Sequence, residues 1–549
     1  MLMNMAVRYT STRNAHVNVS IAEAIVQGMP QDGGLFVPVK MPKLASDALF
    51  EPNLSYAELA WMVLSPWFDW PEHELRPLIE GTYSSTGETP MFDVQEIVPL
   101  AAAGSLDCDV RLPSANGAPS LFLLELFHGK TCAFKDLALS LLGGLLRTSL
   151  EKRGIDEPML ILTATSGDTG SAALSGLGGQ PGIRIAVIYP ASGTSEIQRL
   201  QMTSVPTDGR FVIGLRGNFD DAQRAVKIIF QTASNPGSPF YGLRLSSANS
   251  INIGRLLPQI VYYAAAWRDL FFSGVLEKGQ AFDVVVPSGN FGDILAARYA
   301  KAMGIPIRKL VCASNSNRIL HDFFSTGLYD RRRKFSKTLS PSMDILVSSN
   351  LERLLYLALD DNPELVAAMM SKFEHEGFFQ LPEHSRTKIA DFSAGWANDI
   401  QTLASIQHMW EAHGVLVDPH TAVACSVAHE SIKIARTSLR RRAGKELEAS
   451  PPVVIAATAS PFKFPAACLK ALQGPLLSLR ENTNDLDLAF ELSRVTGIPV
   501  PAPIAALTTA KIQHHTIAEE SDLAALLADF AHQPSKTAQG KQLDSTRPL

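Results

Sequence analysis

The chain alternates short, continuous apolar runs with stretches whose apolar residues recur at helical spacing. The runs are Ser120–Phe127, Met159–Thr165, Arg184–Tyr189, Arg210–Leu215, Phe282–Pro287, Arg308–Ala313 and Pro452–Ala457. Runs this short and this apolar are predicted as parallel strands buried on both faces. Between them, Asp220–Ala233 places Ala222, Val226, Ile229 and Ala233 on one helical face, with Asp220 or Asp221 as cap. Helices are also predicted at Ser171–Leu177 and Ile294–Met303. Residues 1–95 read differently, with a helix over Val19–Met29, a turn at Gln31–Gly34, and a helical region carrying Trp61, Trp67 and Trp70. From about 320 to 450 the pattern is mostly helical, and Arg331–Lys334 reads as a solvated basic loop. The last residues, from 532, are polar and aperiodic, and are predicted to be disordered. The expected architecture is α/β, mostly parallel sheets with helices on both faces. An opening domain spans 1–95, and two α/β subdomains occupy 96–475. A segment packing on them covers 476–531, and the tail is 532–549.

Composition narrows the function classes. With 549 residues, 46% hydrophobic and 19% charged, the chain is expected to bury more than one core. A net charge of −5 provides no general attraction for nucleic acid or anionic membrane. No stretch reaches the roughly 20 apolar residues of a membrane span. The first residues resemble neither a secretory nor an organellar leader, so a cytoplasmic protein is expected, as monomer or homodimer. Cys108, Cys132, Cys312, Cys425 and Cys468 are odd in number and lack metal-ligand spacing. They predict a reducing compartment, no disulfide framework and no metal site.

The first chemical candidate is Lys135, in Glu125-Leu-Phe-His-Gly-Lys-Thr-Cys-Ala-Phe-Lys135-Asp136. A lysine at a strand-to-helix junction among apolar residues is poorly solvated, which lowers its pKa and makes it nucleophilic toward an aldehyde. Two loops rich in small and hydroxyl residues follow buried strands and open helices: Thr165-Ser-Gly-Asp-Thr-Gly170 and Ser288-Gly-Asn-Phe-Gly-Asp293. Backbone amides at a helix N-terminus suit a phosphate or a carboxylate. Both loops are expected at the C-terminal edge of one sheet, where open α/β sheets bind ligands. A reactive lysine with a phosphate cradle points to pyridoxal 5′-phosphate (PLP). Asp293 reads as a cap or orienter, since it would repel the anion. Thr458, ending a late strand, is either a strand terminus or a hydroxyl partner for a pyridine nitrogen. Arg255, in Asn249-Ser-Ile-Asn252-Ile-Gly-Arg255, suits either a phosphate or a structural salt bridge. His420, in Asp418-Pro-His-Thr-Ala422, is read equally as a structural hydrogen-bonder or a proton relay. No G-x-G-x-x-G with a following acidic residue supports a nucleotide-binding oxidoreductase.

Taken in order, these motifs resemble the long form of threonine synthase, a fold type II PLP enzyme of the tryptophan-synthase-β superfamily. Tyr9-Thr-Ser-Thr-Arg13 and Asp32-Gly-Gly-Leu-Phe-Val-Pro38 resemble its N-terminal domain. Phe127-His-Gly with Ala133-Phe-Lys-Asp136 resembles its cofactor-lysine motif. Thr165–Gly170, Ser195–Met202, Ser250–Asn252 with Arg255, Ser288–Asp293, Ser340–Asn350 and Asp418–Ala422 follow in family order. The resemblance implies Lys135 as the Schiff-base lysine and Gly289, Asn290, Phe291, Gly292 and Asp293 as the phosphate loop. It also implies Thr458 at the pyridine nitrogen. Thr165, Ser166, Gly167, Asp168 and Thr169 would hold a substrate α-carboxylate, and Asn252 and Arg255, with Asn249, the substrate phosphate. Lys130 and Cys132 depart from the family's usual Pro and bulkier apolar residue, and Lys130 is a candidate extra phosphate contact. The implied reaction converts O-phospho-L-homoserine and water to L-threonine and phosphate. A phospho-lyase giving a 2-oxo acid, or a catalytically silent relative, are the alternatives.

Overall fold

The computed structural model describes residues 7–84, 90–92, 94, 96–103, 120–192, 194–233, 235–441, 451–474 and 484–533. All seven predicted strands form, with ends shifted by at most two residues. They divide between two sheets. A six-stranded sheet runs in the order Phe392–Trp396, Ile307–Ser314, Phe282–Pro287, Val453–Ala457, Leu121–Glu125, Leu100–Ala102. It is parallel except for the last strand, which pairs antiparallel. A five-stranded, wholly parallel sheet runs Thr516–Ala518, Arg210–Leu215, Ile183–Pro190, Met159–Ala164, Arg244–Ser247. The Thr165–Gly170 and Ser288–Asp293 loops therefore leave different sheets, which corrects the expectation of a shared edge. Local pattern identifies a buried parallel strand but does not say which sheet it joins.

Alternation along each strand explains why both faces are covered. Ile161, Ile185 and Val187 point into a core shared with Leu141, Leu145 and Leu174. Their neighbours Leu160, Leu162, Ala186 and Ile188 point the other way, against Val226, Ile229, Leu523 and Leu527. Helices Lys135–Lys152 and Asp168–Leu177 thus cover one face, and helices Phe219–Thr232 and Leu523–His532 the other. The strand Thr516–Ala518 extends the same sheet, so the C-terminal segment docks by backbone pairing as well as by apolar burial.

The opening segment holds a three-stranded antiparallel sheet, Asn14–Val19, Tyr9–Ser11 and Phe36–Pro38, which the sequence pattern did not reveal. Asn14–Val19 is half exposed and short, with only Ala15, Val17 and Val19 apolar. The predicted helix contracts to Ile21–Gln27, capped by Ser20 and stopped at Gly28. The described residues of the segment share their core with the rest of the molecule: Tyr9, Trp67 and Ile79 belong to the cluster that also contains Leu142 and Val284. Trp67 stacks on Tyr299 with ring centroids 5.7 Å apart.

The basic run is solvated as expected, with Arg332 and Lys334 exposed, and it is also ion-paired. Arg332 makes two 2.9 Å bonds to Asp330, and Arg333 binds Asp322 at 2.7 Å. The helix Leu523–His532 reaches the start of the predicted tail, and residues 534–549 lie outside those described. Cys132, Cys312, Cys425 and Cys468 are buried free thiols, while Cys108 lies outside the described residues. No helix among the described residues is long and apolar enough to cross a membrane.

Candidate active site

A cleft of about 2250 Å³ is lined by the ends of strands from both sheets and by the stretches that follow them. It brings together Lys135, Thr165, Ser166, Asp168, Thr169, Asn249, Arg255, Gly289, Asn290, Phe291, Gly292, Asp293 and Thr458. Lys130, Gly167 and Asn252 are not among its lining residues.

Lys135 begins the helix Lys135–Lys152 and is 9% exposed. Its Nζ lies 3.2 Å from Asp168 Oδ2. Burial lowers its pKa, Asp168 opposes that, and the charges of Arg255 and Lys463 add to the lowering. The amine is therefore easier to deprotonate than a surface lysine.

The sequence reading missed Lys463, which is completely buried. Its Nζ sits 2.7 Å from Asp168 Oδ1 and donates to the Thr131 carbonyl at 2.7 Å. Asp168 is thus shared by two lysines. It also accepts from Gln198 Nε2 at 2.8 Å and Ser342 Oγ at 3.4 Å. Burial pushes its carboxyl up, but Lys463, Lys135 and Gln198 outweigh that and hold it well below the usual carboxylate range. A charged carboxylate repels another, so the assignment of Asp168 to a substrate carboxylate is corrected: it is the counter-ion of two buried amines. The signal for Lys463 was present, since Ser460-Pro-Phe-Lys-Phe-Pro465 flanks a lysine with apolar residues just as the Lys135 segment does.

The rest of that loop is built around Asp168. Thr165 Oγ1 accepts from the amides of Gly167 and Gly170 at 2.9 and 3.0 Å, so its hydroxyl shapes the turn. Gly167 has φ +150°, and a Cβ there would meet the Gln198 side chain at 2.4 Å. Ser166 and Thr169 remain as the half-buried hydroxyl residues facing the cleft.

The second loop keeps its donors. The helix Gly292–Met303 has no side-chain cap, and Phe291 at its start has φ +64°, a conformation bulky side chains rarely adopt. The Gly289 carbonyl is held by Ser348 Oγ at 2.8 Å, and the Asn290 carbonyl by the amide and side chain of Asn350. A Cβ at Gly289 would stand 2.7 Å from the Ser342 carbonyl, so only glycine permits this approach. Asp293 turns away as expected of an orienter: its Oδ1 accepts from Tyr262 and Tyr263 at 2.5 and 2.6 Å. Burial pushes its pKa up to about 6, against the two tyrosine hydroxyls.

Arg255 is buried, donates to the Ala248 carbonyl at 2.7 Å, and is pulled down by burial to about 10, still a cation at neutral pH. Asn252 does not reach the cleft. Its Oδ1 accepts from the Gly254 amide and its Nδ2 donates to the Ile25 carbonyl, so it latches the opening segment to the Arg255 stretch. This corrects its assignment to a substrate phosphate. Lys130 is exposed, outside the cleft. His420 lines the cleft with both ring nitrogens engaged, Nδ1 donating to Asp418 at 2.6 Å and Nε2 accepting from the Ser342 amide at 3.1 Å. Of its two readings, the structural one fits. Arg13 reaches this wall through two bonds to Glu352, at 2.9 and 2.8 Å.

These features fit PLP: a buried amine for its aldehyde, uncapped amides for its phosphate, and the Thr458 hydroxyl ending strand Val453–Ala457 for its ring nitrogen. The parallel α/β scaffold with a buried lysine in such a cleft defines a PLP-dependent enzyme. The Pyridoxal-phosphate dependent enzyme family model matches residues 109–394, and the Threonine synthase N terminus model matches residues 8–83. The chain is 37% identical over 483 residues to threonine synthase of Pseudomonas aeruginosa, covering 87% of this chain and 93% of that one. It is 38% identical over 463 residues to human threonine synthase-like 1, covering 82% of this chain but only 58% of that longer protein. The PLP-bound threonine synthase structure from Brucella melitensis superposes with TM-score 0.78 at 31% identity, over 96% of this chain and 100% of that one. The chain belongs to the threonine synthase family.

Proposed function

We propose that the chain converts O-phospho-L-homoserine and water into L-threonine and inorganic phosphate. The observation that supports this reading is that one cleft is lined both by the Gly289–Asp293 bend and by the buried Arg255 guanidinium, two groups suited to anions. The bend suits the cofactor's phosphate, and the guanidinium the substrate's. Arg255 and Asp293 both couple electrostatically to the Lys135 amine. Pyridoxal phosphate, when bound, supplies the electron sink that makes substrate Cα and Cβ protons acidic.

The chain's own groups do the rest. Lys135, its pKa lowered by burial, takes the Cα proton and returns it at the end. Asp168, fixed by Lys463 and Gln198, holds the Lys135 nitrogen in place. Ser166 and Thr169, with the loop amides, hold the α-carboxylate. Arg255, with Asn249 beside it, neutralises the phosphate as it leaves. Thr458 offers the ring nitrogen a neutral partner.

A phospho-lyase outcome, giving 2-oxobutanoate, ammonia and phosphate, is the second reading. It is motivated by Lys130 and Cys132, the latter at φ +56° three residues before Lys135. The test is to mix holoenzyme with O-phospho-L-homoserine and identify the organic product against phosphate released. Threonine and phosphate in equal amounts support the first reading, and 2-oxobutanoate in place of threonine selects the second. A protein with no visible cofactor band and no product is the silent relative.

A further inference from the structure

Away from the cleft lies a cluster that this chemistry does not use. His408 and His413 occupy the end of helix Asp399–His413, and His429 sits on the adjacent helix Pro419–Arg441. Nitrogens from the three rings lie within 4.8 Å of one another. The His408 ring meets the His413 and His429 rings edge-on, with centroids 5.6 and 5.2 Å apart. His429 Nδ1 is 2.8 Å from the Cys425 carbonyl, which can only accept, so Nδ1 carries the proton and Nε2 keeps its lone pair. That Nε2 is buried with no hydrogen-bond partner, and the same holds for Nε2 of His413. A buried polar atom left unpaired is destabilising, so two in one cluster call for an occupant. The C-terminal end of helix Asp399–His413 adds partial negative charge.

We propose that His408, His413 and His429 bind one zinc(II) ion, which clips the helix Asp399–His413 to the helix Pro419–Arg441. Three imidazoles with an open fourth position are a borderline-metal ligand set. Zinc–nitrogen bonds of about 2.0–2.1 Å place the nitrogens roughly 3.4 Å apart, so side-chain rotation closes the present spacing around the ion. None of the three histidines lines the cleft. The ion is a strut: the helix Pro419–Arg441 carries His420 at its N-terminal end, roughly 13 Å along the axis from His429, where it braces Ser342.

The test uses holoenzyme without an affinity tag, stripped with a chelator and dialysed against zinc sulfate. One equivalent per chain with micromolar or tighter affinity, and a raised melting temperature, are expected. His413→Gln and His429→Gln should each weaken binding by at least ~100-fold, the upper end of what losing mere outer-shell partners costs. His408→Gln is a third variant, on a half-buried ring, should either of the others fail to fold. Each variant is first checked for an unchanged cofactor absorbance band. Absence of stoichiometric zinc at about 100 μM, or equal binding by well-folded variants, overturns the proposal.

Discussion

The two loops that face each other across the cleft look alike in sequence and differ in what they do. Each follows a buried parallel strand, each opens a helix without a side-chain cap, and each contains a backbone angle that most residues avoid. The Ser288–Asp293 bend sends its one acidic side chain away, to Tyr262 and Tyr263, and has its carbonyls held by Ser348 and Asn350. What it leaves for a ligand is amide donors. The Thr165–Gly170 turn spends the Thr165 hydroxyl on its own amides and aims Asp168 at two buried lysines. What a glycine- and hydroxyl-rich loop offers an anion is therefore what its own contacts leave over: amides at the Ser288–Asp293 bend, and the Ser166 and Thr169 hydroxyls at the Thr165–Gly170 turn.

The largest effect should come from the group both loops serve. Lys135→Ala should lose the visible cofactor band and essentially all turnover, by ~10⁴-fold or more, since its proton transfers alone are worth about 10²–10⁴. An absorbance spectrum and a phosphate-release assay check this. A normal visible band in the variant would refute the assignment.

Lys463→Met separates the loops, because Lys463 touches only the Asp168 side. Removing one partner of a buried ion pair costs about 3–5 kcal/mol. Asp168 would then rely on Lys135 alone. Lys463 repels the Lys135 charge, so its loss raises the Lys135 pKa, and cofactor capture should need higher pH. The Asp168 carboxyl sits below its unfolded value, so its stabilisation is present above the ordinary carboxylate range and lost as pH falls through the depressed value. The variant shrinks that window and should unfold at higher pH on acidification. Stopped-flow capture of PLP and acid titration by circular dichroism read the two shifts. If both curves match wild type, Lys463 is a bystander.

Arg255→Ala should raise KM for O-phospho-L-homoserine by roughly 10–150-fold while changing PLP affinity little, because a charged hydrogen bond contributes about 1.5–3 kcal/mol. Equal losses in both would show that Arg255 holds up the wall through Ala248 instead.

How far the sequence reached depends on whether a residue's partner is nearby in the chain. Lys135 was legible because its surroundings are its own neighbours. Lys463 carries the same apolar flanks, but its meaning lies in Asp168, a distant residue that follows a strand of the other sheet. Asn252 sits in the expected stretch, yet its amide was already taken by Ile25 of the opening segment. Strands that are apolar through their length were readable. Arg244–Ser247, a polar edge strand that forms only by pairing with Met159–Leu162, was not. His408, His413 and His429 escape for the same reason: two helices must pack before their spacing means anything.

The finest test exchanges one glycine in each loop. Gly167→Ala must accept φ +150° and crowd Gln198, whose amide holds Asp168. Gly289→Ala must move the Ser342 carbonyl, a neighbour of the phosphate bend. Strain of about 1–3 kcal/mol is expected at each, or roughly 5–150-fold in whichever equilibrium bears it. If the loops divide their work as the hydrogen bonds indicate, Gly167→Ala raises KM for the amino-acid substrate and leaves the PLP dissociation constant near wild type. Gly289→Ala should do the reverse. Spectral titration with PLP and steady-state kinetics at saturating cofactor separate the two. Should both variants lose PLP affinity alike, the loops act as one anion site and the contrast between them is wrong.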